Sequence, residues 1–146
     1  MHIEQKELTL ASRGRGIHIV TREIEEGFPE LRRFSRGLAH IHILHTSASL
    51  ALNENADADV RRDLSAILDH LVPENEPYYV HTLEGPDDMP AHAKSVLTGS
   101  SLTVPISKGR LRLGTWQGVY LLEHRSGRQS RRIVVTALGE SQDENG

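Results

Sequence analysis

Residues 37–46, GLAHIHILHT, alternate with a period of two. Ala39, Ile41, Ile43 and His45 share one face of an extended segment, and Leu38, His40, His42 and Leu44 share the other. This is the clearest predicted strand, and it sets His45 at the end of an apolar row. Weaker alternation predicts strands over residues 3–10 and 17–21, a short extended piece over 50–52, and strands over 78–82, 102–106 and 133–138. A long strand begins at Leu111, bends at Gly114 and continues through Trp116 to Arg125.

A different period marks the helices. Val60, Leu64, Ile67, Leu68 and Leu71 recur at i, i+4, i+7, i+8 and i+11, which predicts a helix over 57–71. Asn55 or Asp57 can cap it, and Pro73 lies just past its end. From Arg22 to Phe34 the spacing is also helical, but Gly27 and Pro29 split it into two short turns. A third, short helix starts at Pro90, is capped by Asp87 or Asp88, and stops at Gly99. About eight strands, many joined by glycine turns, with two or three helices predict an α+β fold. Its core is a mixed, mainly antiparallel sandwich or barrel. One domain spans residues 1–146, with a frayed polar tail over 140–146.

The chain has 146 residues, enough for one domain with its own core and too few for a (β/α)₈ barrel. Its net charge of −3 leaves no overall basic footprint, so no nucleic-acid partner is expected. It contains no cysteine, which removes thiolate metal sites, disulfides and cysteine nucleophiles. The first residues show neither a basic n-region nor an apolar h-region, and no apolar run approaches 18 residues. A cytoplasmic protein without a membrane partner is expected. No Walker A, GxGxxG or GxSxG pattern occurs.

Nine histidines change the picture, because they point to metal ligation or proton transfer. His45, His81 and His92 all fall at predicted element ends beside loops, where sites are built. Three imidazoles with an open fourth position would make a catalytic-type zinc site. His40 and His42 form a rival pair. In Asn53-Glu54-Asn55, Glu54 suits a general base, or the segment caps the following helix. Asp87-Asp88 suits Mg²⁺ or hydrogen bonds to ligand histidines, and capping is compatible with either role. Lys108 and Arg110, and the run Arg125, Arg128, Arg131 and Arg132, suit a phosphate group at turns, or are solvated turn residues that balance an acidic chain. Trp116, between Gly114 and Gly118, either stacks on a flat ligand or plugs the core. Gln117 and Glu123 share one strand face.

Taken in order, His45-Thr46-Ser47-Ala48-Ser49, Asn53-Glu54-Asn55, Asp87-Asp88-Met89-Pro90-Ala91-His92, Gly109-Arg110, Leu113-Gly114-Thr115-Trp116-Gln117-Gly118 and Glu123-His124-Arg125 resemble the YjbQ-like family. The resemblance runs from about Leu8 to Glu140. It implies a small α+β homotrimer with a sandwich-like core. Members carry the label secondary thiamine-phosphate synthase, a transferase activity that implies a small phosphorylated metabolite as partner. Its motif histidines fall on His45, His81 and His92, implying a metal or anion site near a subunit interface. Zinc is the expected ion and magnesium the alternative. Glu54, Asp88, Gln117 and Glu123 are the expected catalytic groups. Ser47, Asn53, Ser95, Lys108, Arg110 and Trp116 are expected to hold substrate. A non-catalytic trimeric binder of an anionic metabolite and a metal-dependent hydrolase are the alternatives.

Overall fold

The computed structural model describes residues 1–142. Eight strands form two sheets. They are β1 (His2–Thr9), β2 (Gly16–Ile19), β3 (Phe34–Ile43), β4 (Ala48–Glu54), β5 (Ser101–Ser107), β6 (Arg110–Leu111), β7 (Gln117–Glu123) and β8 (Arg132–Ser141). The larger sheet has the order β1-β8-β3-β5-β6 and the smaller β2-β7-β4, and every pairing is antiparallel. The helices are α1 (Thr21–Gly27), α2 (Ala58–Leu71) and α3 (Asp88–Thr98), with a 3-10 turn over Pro29–Arg33. The α+β sandwich expected from the patterning is therefore present.

The core lies between the sheets. Ala39, Ile41 and Ile43 of β3 are buried against Leu50, Val119 and Leu121 of the smaller sheet. Ser49, one residue out of phase with Leu50, bonds Thr98 of α3. So α3 packs on β4 from the other side, and α2 lies on β2. On the larger sheet, the opposite face of β3 presents Leu38, His40 and His42. Gly27 and Pro29 separate α1 from the 3-10 turn as expected, and Asp57 caps α2 through Asp59 N–H at 2.9 Å. No helix among the described residues is long and apolar enough to cross a membrane.

Four expectations are corrected. Tyr78–Thr82 is not a strand but part of the long connection between α2 and α3. Its β-favouring residues find no neighbouring strand, and Val80 and Leu83 stand 95% and 99% exposed. The strand expected over 111–125 breaks at Arg112–Trp116, where Asn55 Nδ2 donates to the carbonyls of Thr115 and Gln117. Asp87 makes no capping bond to α3, because its carboxylate turns to Arg125. The tail is not frayed at its start. Glu140 and Ser141 continue β8 opposite Arg36 and Phe34, and residues 143–146 lie outside the described residues.

Candidate metal centre

The α2–α3 connection brings His81 back onto the first turn of α3. His81 Nε2 lies 2.6 Å from Asp88 Oδ2, and His92 Nε2 lies 3.0 Å from the same oxygen. Asp88 and His92 meet because residues four apart stack on one helix face. The three side chains offer ligand atoms within 4.8 Å of one another. Asp88 is 2% exposed, whereas both imidazoles reach solvent. The carboxylate also benefits from the positive end of the α3 dipole.

Hydrogen bonds fix this geometry from behind. Arg125, just beyond β7, donates from Nη1 to Asp88 Oδ1 and from Nε to Asp87 Oδ2, both at 2.8 Å. Ser126 N–H donates to the same Asp87 oxygen. Burial alone would raise the pKa of Asp88. The His81 hydrogen bond and the charges of His92 and Arg125 outweigh it and hold this carboxyl below the ordinary range. Asp87 is likewise lowered against its burial, by the Ser126 amide and Arg125.

His92 carries the most telling arrangement. Its Nδ1 lies 3.0 Å from the Thr46 carbonyl, which can only accept, so Nδ1 bears the proton. In the neutral ring, Nε2 then aims a lone pair at a carboxylate oxygen. That contact needs a cation between the two acceptors, either a second proton or a metal ion. A ligand imidazole whose far nitrogen is held by a backbone carbonyl is the usual way a metal site sets tautomer and orientation. Two imidazoles and a carboxylate suit zinc or another late transition ion; magnesium prefers oxygen ligands.

The expected site residues divide between places. His81, Asp88 and His92 converge, with Asp88 where a third histidine was expected. His45 lies outside the group. β3 ends at Ile43, and His45 Nε2 accepts the Arg132 amide at 2.8 Å. Burial and the charges of Arg131 and Arg132 push its pKa down. Ser95 is on α3 three residues past His92, and its buried Oγ has no hydrogen-bond partner among the described residues. Glu123 and Ser47 are enclosed near the centre. Arg131 binds both Glu123 oxygens at 2.6 Å and Ser47 Oγ at 3.0 Å.

Asn53, Glu54, Trp116 and Gln117 sit at the far end of the β4–β7 ladder. Ala48 pairs with Glu123 near the histidines, while Glu54 pairs with Gln117 six residues on, about 20 Å away by strand rise. There Glu54 Oε2 accepts Asp57 N–H, Asn53 Oδ1 accepts Glu54 N–H, and Gln117 Oε1 accepts Gly114 N–H. Trp116 is 64% exposed and does not plug the core. Lys108 and Arg110 are remote too, on the β5–β6 turn. Arg125 and Arg131 belong to the turn arginines that the sequence offers as phosphate holders. In the structure both engage carboxylates, Arg125 those of Asp87 and Asp88 and Arg131 that of Glu123.

The family model of UPF0047 YjbQ-like proteins matches residues 6–140. The chain is similar to UPF0047 protein YjbQ of Escherichia coli O157:H7, with 49% identity over 93% of this chain and 98% of that protein. A UPF0047 protein of Synechocystis sp. is 44% identical over 93% and 92% of the two chains. The crystal structure of a conserved hypothetical protein from Thermus thermophilus superposes with a TM-score of 0.81 at 37% identity, covering 91% of this chain and 99% of that one. By the extent of these matches, the chain belongs to the YjbQ-like UPF0047 family.

Proposed function

We propose that the protein is a cytoplasmic, trimeric enzyme that holds a divalent transition metal, zinc first, on His81, Asp88 and His92. It acts on a small phosphorylated metabolite, with thiamine-phosphate synthase-type transfer as a side reaction. The observation that carries the metal is the His92 ring, fixed by the Thr46 carbonyl with its other nitrogen facing Asp88. When bound, such an ion supplies Lewis-acid polarisation of a substrate oxygen or a bound water of lowered pKa. The chain's own residues hold the donors in place. Thr46 sets the His92 tautomer, Arg125 and Ser126 pin the two carboxylates, and the His81 connection leaves one side open to solvent.

The thiamine reaction makes a further demand. A diphosphate must leave while a thiazole nitrogen attacks, so cations must meet the departing charge. Arg125 is the guanidinium at the centre, and both carboxylates engage it. This arrangement favours metal-assisted hydrolysis as the main reaction over diphosphate transfer.

Two surfaces support a trimer. The outward row Ile3, Leu138, Leu38 and Pro105 runs unbroken across four strands of the larger sheet. The next row, Gln5, Thr136, His40 and Thr103, carries no Lys, Arg, Asp or Glu. The four long strands present roughly 500 Å², the same order as the ~800 Å² that one partner gives a standard interface. Uncharged centres with charged rims are the pattern of such interfaces. Here Arg36–Glu140 and Arg132–Glu7 form the rims. On α2, Ile67 and Leu71 are exposed as well.

The test is turnover of phosphorylated metabolites, thiamine precursors included, by native protein, chelator-treated protein and folded His81→Ala/His92→Ala. Activity lost in both treated forms is expected. Activity intact in the folded double variant would overturn the assignment. Saturable binding without turnover in the native protein would leave a metabolite-binding protein in its place.

A further inference from the structure

We propose that the cleft between the β5–β6 turn, α1 and the 3-10 turn is a second binding site, for a phosphorylated small molecule. It stands independently of the histidine centre. The cleft encloses about 610 Å³, within the range that holds small ligands and far more than a bare phosphate needs. Ser107 pairs with Arg36 and Ser101 with His42. The cleft therefore lies at the opposite end of β3 and β5 from Thr46 and His92, about 20 Å along the strands.

Four cations face two carboxylates there. Arg22 and Arg110 meet Glu26 and Glu25 at 2.8 and 3.7 Å. Arg32 and Lys108 have no ion-pair partner among the described residues. Two uncompensated cations side by side at a cleft, with Arg110 only loosely held, match the charge of a phosphate dianion. The Leu31 side chain lines the same cleft and gives an apolar wall for the organic part of a ligand.

The cleft is built rather than incidental. Lys108 and Gly109 both have positive φ, 52° and 76°, as a two-residue hairpin between β5 and β6 requires. A Cβ on Gly109 would stand 3.0 Å from Arg32 Cα and 3.1 Å from its carbonyl oxygen. The turn can sit against the 3-10 segment only because position 109 is glycine. That contact sets Lys108 and Arg32 on one rim. Gln142 Nε2, donating to the Arg32 carbonyl at 2.7 Å, ties the chain just past β8 to the same segment.

Titration calorimetry of the full-length chain with inorganic pyrophosphate at low ionic strength tests the site. The key variant is Arg32→Gln/Lys108→Asn, because asparagine tolerates the left-handed conformation at position 108. Lys6→Gln/Arg62→Gln removes the same charge elsewhere, and His81→Ala/His92→Ala removes the other centre. The expected result is saturable binding near one per chain. It weakens at least tenfold in Arg32→Gln/Lys108→Asn and persists in the other two. Should the double variant fail to fold, Lys108→Asn alone is expected to weaken binding at least threefold. No saturable binding by the native chain would overturn the proposal. So would equal weakening by the Lys6/Arg62 control, or loss confined to the histidine variant.

Discussion

Replacing Arg131 by alanine strips a buried carboxylate of its partner. Glu123 is 1% exposed and takes two bonds of 2.6 Å from this guanidinium. After Arg131→Ala it keeps one donor, the Arg125 amide at 3.0 Å, and Ser47 Oγ loses its partner as well. Leaving one half of a buried ion pair behind costs about 3–5 kcal/mol. For a chain of this size that corresponds to a melting temperature lower by on the order of 10 °C. Urea unfolding at pH 7, followed by far-ultraviolet circular dichroism, reads it as a lower midpoint with unchanged slope. Glu123→Leu/Arg131→Met removes both charges and is expected to recover most of the loss. A loss below about 1 kcal/mol in Arg131→Ala would refute the claim that Glu123 depends on this arginine.

His124 is buried beside Lys94 and Arg131, and these causes, burial first, push its pKa from 6.5 to about 4. The unfolded chain takes up this proton before the folded one does. Stability therefore falls as pH drops from 6.5 to 4, by up to about 3 kcal/mol, and this term is flat below. His124→Gln should flatten that part of the urea-stability profile, and an unchanged slope would contradict the burial. In Gly37→Ala the new Cβ would lie 2.2 Å from the Leu138 carbonyl oxygen and 2.9 Å from Gly139 Cα. Both are backbone atoms of β8, so a loss of about 2 kcal/mol or more is expected in urea, and a loss under about 0.5 kcal/mol would show that the ladder yields there. Arg125→Lys gives up the guanidinium that spans Asp87 and Asp88. Competition with a chromogenic chelator should show zinc affinity reduced about 10–100-fold, and unchanged affinity would remove Arg125 from the centre.

Periodicity exposed the elements whose neighbours are regular. Ala39, Ile41 and Ile43 are buried as their alternation requires, whereas α2 forms where its 3.6-residue stripe predicts but buries only part of that stripe. Val60, Leu64 and Leu68 are half-buried, and Ile67 and Leu71 are exposed. Tyr78–Thr82 misled because β propensity states what a residue tolerates, and no strand lies beside it. The convergence of His81 on Asp88 was hidden for a related reason. An irregular connection delivers it, and no period describes such a path. His45 keeps the parity of β3 in sequence, but the strand stops two residues earlier and the ring turns to the Arg132 amide. Asn53 and Glu54 fit both a site and a helix-capping segment on pattern alone, and Gln117 fits the polar lining of a strand face. The structure shows the turn bonds they make. Lys108 and Arg110 read as phosphate ligands from sequence, yet strand register carries them to the other end of the sheet.

The most direct test of the metal centre is the metal content of untagged protein purified without chelator, measured by inductively coupled plasma mass spectrometry. Folded Asp88→Asn and His81→Ala/His92→Ala are measured alongside it. Close to one zinc or other late transition ion per chain, lost in both variants, is the predicted result. Protein that carries no such ion and takes up none from added zinc would contradict the assignment of His81, Asp88 and His92 as ligands.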